Sequence, residues 1–166
     1  MATLIAIPIL GLLLILQSAI VSRIPLLHGT ADLVLLALVA WAVQERVRTA
    51  WQWGIIGGLL VSMVSAVPIL VIMAGYLLTI VVAVLLRQRI WGVRLLGMFT
   101  ATFLGTLITH ALTIAALQFN GTPIPWAAAL NTITLPSALL NLILVVPMYA
   151  LIGDLANWIY PEEIEI

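Results

Sequence analysis

The chain of 166 residues has no cysteine, and its charged side chains are six basic and six acidic, 7% of the total, with a formal net charge of zero. Without cysteine there are no disulfides, no thiolate metal ligands and no cysteine nucleophile. Without net positive charge there is no electrostatic footprint for a nucleic acid, so none is expected as a partner. Soluble domains carry roughly 25% charged residues. A chain that is 64% hydrophobic, with a mean hydropathy of +1.29, cannot cover a water-facing surface with so few. The composition predicts one all-α integral membrane domain over residues 1–166. At about 20 apolar residues per crossing, the length suffices for about six crossings on short loops and leaves no room for a soluble domain.

Arginines and prolines divide the chain. Residues 2–22 form the first span, expected to be retained because a cleaved leader would carry a basic start and end in small residues. Arg23, Pro25 and Gly29 mark the first loop. The second segment, about 31–44, has an apolar stretch worth only about 20 Å of helix, which predicts a short crossing rather than a re-entrant helix. Glu45, Arg46 and Arg48 follow. The uncharged run 53–86 would reach about 50 Å as one helix against a hydrocarbon core of about 30 Å, so two spans are expected, 53–67 and 68–86. The break falls at Pro68, which lacks an amide donor, disfavours helical geometry at Val67 and suits a first helical turn. Arg87, Arg89 and Arg94 close the fourth span, 95–118 is the fifth, the turn around Asn120-Gly121 separates it from the sixth at 127–155, and Glu162, Glu163 and Glu165 end the chain.

An even number of spans puts both termini on one side. Arg46, Arg48, Arg87, Arg89 and Arg94 on that side, against Arg23 on the other, predict that both termini are cytoplasmic. Trp51, Trp53 and Trp91 then fall at the inner boundary and Trp126 at the outer one, where indoles prefer to sit.

Polar side chains inside lipid are costly, so they are the first place to seek a site. The candidates are Gln17, His110, Asn131 and Asn141. His110 lies about 24 Å along the fifth helix from Arg94, at a depth similar to Gln17, and a hydrogen bond between the two is plausible. His110 reads either as a proton or ligand site or, with more weight, as a neutral imidazole satisfied by a neighbouring helix. Asp32, Glu45 and Asp154 lie near helix ends, so no carboxylate is expected beside it. A relay, a metal centre and an activated serine therefore lack their partners, and the expectation is no enzyme, no metal and no cofactor. Asn120-Gly121-Thr122 fits a glycosylation pattern that is common by chance.

Small residues form the sharper pattern. Gly97, Ala101, Gly105 and Thr109 recur every fourth position, a groove suited to close helix approach, with Gly54, Gly57 and Gly58 as a second patch. The groove reads either as a partner-helix site or, with more weight, as packing inside the bundle. In the sixth span Pro136 and Pro147 each free a carbonyl and predict a bent helix, with Asn131 and Asn141 placed to bond to freed carbonyls or to a neighbour; Asn141, near mid-membrane, reads either as such a structural bond or as a ligand contact.

The first span ending in Leu16-Gln17-Ser18, the run Ala31-Asp32-Leu33-Val34-Leu35, the stretch Gly57-Gly58-Leu59-Leu60 and the final LPSALLNLILVVPMY resemble, in order and spacing, the MreD family of bacterial rod shape-determining membrane proteins over nearly the whole chain. Ser62 stands where family members often carry an acidic residue. The resemblance implies a non-enzymatic scaffold of the cell-elongation and peptidoglycan-synthesis machinery in the bacterial cytoplasmic membrane. It also implies pairing with an MreC-like single-span protein, alongside MreB filaments and membrane-bound wall synthases. The rival is a substrate-binding subunit of an energy-coupling-factor vitamin transporter, a six-helix bundle thought to be related in fold. Such a subunit would use small residues of the first span to dock its partner, where this chain offers Ala2 and Ala6, and would need an outward-facing polar pocket, to which Gln17, His110, Asn120 and Asn131 could contribute.

Overall fold

The computed structural model describes residues 2–19, 28–89, 94–122 and 124–161. Arg23, Trp91 and the tail carboxylates, all used in the topology expectation, lie outside them. Every regular element among the described residues is helical: α1 (Ala2–Ala19), α2 (Leu33–Ala42), α3 (Ala50–Ser62), α4 (Ile69–Arg89), α5 (Arg94–Phe119), α6 (Trp126–Ala129), a π-helical turn (Leu130–Thr134) and α7 (Leu135–Ile159). Three helical stretches are long and apolar enough to cross a membrane: Ile69–Arg89, Arg94–Phe119 and Trp126–Ile159. α1 and α2 are shorter apolar helices.

The short second segment is the centre of the molecule. At 10 residues it is about 15 Å long, and α1, α3, α4, α5 and α7 all pack on it. Its sequence, LVLLALVAWA, is apolar on every side, and Val34 through Ala42 are all buried. A helix without a polar face has no surface to give to water, and here it needs none. Around it α1 packs on α3, α3 on α4, α4 on α5 and α5 on α7. Among the described residues α7 and α1 share no comparable interface, so the ring has a seam between them.

Glycines set two of these packings. A Cβ on Gly57 would stand 3.2 Å from Leu38 and Val34 of α2, and one on Gly54 or Gly58 would strike Ile80 or Met73 of α4. Between α4 and α5, Gly105 receives Thr79 and Gly75 receives Thr109. The stripe Gly97, Ala101, Gly105 and Thr109 is thus taken up by its own chain: Gly105 and Thr109 meet α4, and Gly97 and Ala101 are buried. As an open groove for a partner helix it does not survive.

Trp53 corrects another expectation. It faces the protein interior, buried and stacked on Trp41 with ring centroids 4.2 Å apart and planes 15° from parallel, whereas Trp51 and Trp126 are exposed. Where the last helix is expected to bend it carries a π-helical turn, in which Leu135 N–H reaches back to Leu130 O immediately before Pro136; Pro147 lies within α7, which runs on as helix to Ile159. A π turn is one of the recognised sources of a helix irregularity.

Candidate functional site

A helix buried within a bundle presents its first amides and last carbonyls to protein rather than water, and each left without a partner is costly. α2 has protein partners at both ends. Gln17 of α1 accepts through Oε1 from Leu33 N (2.8 Å) and, more weakly, from Val34 N (3.4 Å). Asp32, the N-cap, accepts from Leu35 N at 2.9 Å. At the other end the Arg87 guanidinium of α4 donates to Ala42 O, Gln44 O and Val47 O at 3.1, 2.7 and 3.1 Å. An acid at the N-terminus and a guanidinium at the C-terminus also suit the helix dipole.

The segment entering α2 hangs on α7. The amides of His28, Thr30 and Asp32, alternate residues of an extended chain, donate to Thr132 O (3.2 Å), Ser137 Oγ (3.0 Å) and Asn141 Oδ1 (2.8 Å). Pro136 has no N–H to give Thr132 O four residues back, and His28 N–H takes that place. Gly29 lies so close that a Cβ would come within 2.6 Å of both Pro136 Cβ and Ser137 N. Asn141, fully buried, extends the network by donating through Nδ2 to Thr106 Oγ1 of α5 at 2.9 Å.

Several expectations change here. Gln17 and His110 do not bond to each other: Gln17 caps α2, and His110 Nδ1 pairs with Thr134 Oγ1 in the π-helical turn at 3.2 Å. Asn141 bonds across to two neighbouring segments, while Asn131 is exposed on the bundle surface. Asp32, discounted as a helix-end residue, is at the end of α2 as its N-cap and yet shares a cavity with His110. Asp32 and His110 line one cavity of about 160 Å³, together with Tyr76, Ser65, Thr109 and Thr113. Within it the Tyr76 hydroxyl donates to Asp32 Oδ2 at 2.9 Å.

Sequence reasoning discounts Asp32 as a helix-end residue and does not single out Tyr76. The available signal is the shortness of α2: a 15 Å helix inside a bundle puts its N-cap at depth. Among the described residues no three His, Cys, Asp or Glu side chains are grouped to hold a metal. Comparison of the chain with family models, characterised proteins and solved structures gives no match.

Proposed function

We propose that the chain is a non-enzymatic scaffold of the bacterial cell-elongation machinery, an MreD-like protein that crosses the cytoplasmic membrane six times with both termini inside and pairs with an MreC-like single-span protein. MreB filaments and membrane-bound peptidoglycan synthases are the further partners of that assembly. The observation that supports it is where the polar side chains go. Gln17, Ser137, Asn141 and Arg87 are all engaged in fixing the central helix to its neighbours, which makes a rigid body rather than an open receptor. The vitamin-transporter reading has less support: pockets for ligands of that size run to about 300–1,000 Å³, the polar cavity offers about 160 Å³, and the hollow of about 520 Å³ lined by Gln118, Gly121, Ile124 and Pro125 is wide open rather than enclosing. With the α4–α5 groove filled from within, the proposed contact for a single added helix is the seam between α1 and α7. Ile7 and Ile15 of α1 and Leu139 and Ile143 of α7 are exposed apolar side chains on the two helices that flank it.

The test is co-expression with the MreC-like protein of the same organism. The expected result is copurification in detergent and disulfide trapping between a partner-helix cysteine and Ile15→Cys or Ile143→Cys, in a chain whose natural lack of cysteine removes background. A monodisperse bundle that never retains the partner would refute the assignment. Labelling from outside living cells should modify Asn120→Cys and spare Asn157→Cys; the reverse would overturn the orientation.

A further inference from the structure

We propose that the cavity beside the N-terminus of α2 is a binding site for a small primary alkylammonium ion. The lining is rich in lone pairs and poor in donors. Asp32 contributes a carboxylate with about four acceptor positions, approached by Leu35 N–H, Tyr76 O–H and the Val34 N–H that Gln17 shares. The Tyr76 proton is directed at Asp32, so its oxygen offers lone pairs to the cavity. The Thr109 and Thr113 hydroxyls donate to backbone carbonyls of their own helix, Gly105 O and Thr109 O, and likewise present lone pairs. Ser65 Oγ accepts from Val67 N–H and can rotate its proton to suit.

Charge points the same way. Among the described residues no arginine or lysine lines the cavity and Asp32 has no cationic partner, the ion pair of Arg94 with Glu45 lying at the far end of the bundle; the other titratable side chain of the lining, His110, has Nδ1 engaged with Thr134 Oγ1 and presents an N–H or a lone pair according to its tautomer. A carboxylate at depth is costly unless it is paired or hydrogen-bonded, and Asp32, held by neutral donors only, leaves acceptor positions that a cation with N–H donors would satisfy. The remaining wall, including Val61, Val71 and Ile72, is aliphatic. A ligand matched to both chemistries carries N–H donors and a positive charge at one end and a short alkyl chain at the other. The volume, about five waters' worth at roughly 30 Å³ each, sets the chain at a few carbons. This site is independent of the scaffold assignment, since its lining residues do not include those of α1 and α7 offered to the partner helix.

The experiment titrates the purified full chain in detergent with ammonium, methylammonium, ethylammonium and propylammonium chlorides at constant ionic strength, reading heat by calorimetry and the shift in thermal midpoint. Saturable binding is expected, tightening about fourfold per added methylene while the aliphatic wall has room. Sodium and potassium chloride should give no saturable signal, which separates an organic ammonium from a metal cation. Tetraethylammonium, charged but without N–H donors and larger than the cavity, should not bind. Asp32→Asn keeps an N-cap acceptor for Leu35 and removes the charge; ethylammonium affinity should fall at least tenfold. No saturable binding of any alkylammonium, an equal response to tetraethylammonium or sodium, or unchanged affinity in a folded Asp32→Asn protein each overturns the proposal. The homologous series is read on the wild-type chain, so the proposal remains refutable even if the variant fails to fold.

Discussion

Replacing Gly29 by alanine adds one methyl group, and the structure gives that methyl nowhere to go. The new Cβ would stand 2.6 Å from Pro136 Cβ and Ser137 N and 2.8 Å from Pro136 C, where ordinary contact begins at 3.4 Å. None of these atoms is the end of a flexible side chain, so the segment carrying residue 29 must withdraw by roughly 0.8 Å. That segment is held by three hydrogen bonds of 2.8–3.2 Å, and an added 0.8 Å takes each past about 3.5 Å, beyond useful geometry. At about 0.6–1.5 kcal/mol per bond, the lower figure typical of helices in lipid, the loss is about 2–4 kcal/mol. Gly11→Ala is the control, because a Cβ there meets nothing within 4 Å and alanine is favoured over glycine inside a helix by up to about 1 kcal/mol. Unfolding by SDS titration in mixed micelles, followed by tryptophan fluorescence, should show the same chemical change moving stability in opposite directions at the two sites. A Gly29→Ala midpoint equal to that of the parent would refute the close approach and, with it, the three-bond attachment of residues 28–32 to the π-helical turn and α7.

Arg87→Gln should lower stability by about 2–4 kcal/mol in the same assay, because carbonyls at the end of α2 lose a charged donor; Arg87→Lys should recover part of that, and no loss in either would contradict the capping role. Asn141→Leu, nearly isosteric, should cost about 1–3 kcal/mol by orphaning Asp32 N–H, so an unchanged midpoint counts against the network. Gly105→Leu should abolish a monodisperse bundle even without any partner, since the side chain meets Thr79; a well-folded variant would put the stripe back on an outer face. Trp53→Phe should cost about 0.5–1.5 kcal/mol through the lost stack on Trp41, with Trp51→Phe near zero.

Helix limits at α4 and α5 were readable from punctuation: the expected 68–86 and 95–118 compare with Ile69–Arg89 and Arg94–Phe119, because Pro68 and the arginines act locally. The expected span at 53–67 begins and ends several residues early, as Ala50–Ser62, since the turn before Pro68 takes more residues than the proline alone demands. What could not be read was partnership. Whether Arg87 faces headgroups or three carbonyls, and whether Trp53 faces lipid or Trp41, depends on α2 lying at the centre. Position within a span fixes depth but not direction. Even so, the sequence of α2 carried a clue in its uniform apolarity, which belongs to an element enclosed on all sides rather than to one with a lipid face and a protein face.

The attachment of α2 to α7 joins residues 107 and 109 positions apart in the chain. At about 5–20 residues per second of synthesis, the ribosome has delivered Thr30 and Asp32 roughly 5–20 seconds before it delivers Ser137 and Asn141. For that interval the entry to the innermost helix lacks its acceptors, so the nascent bundle is incomplete at its heart until its last helix emerges, and a chain cut short before Ser137 would leave without acceptors the same amides that a finished one keeps hidden.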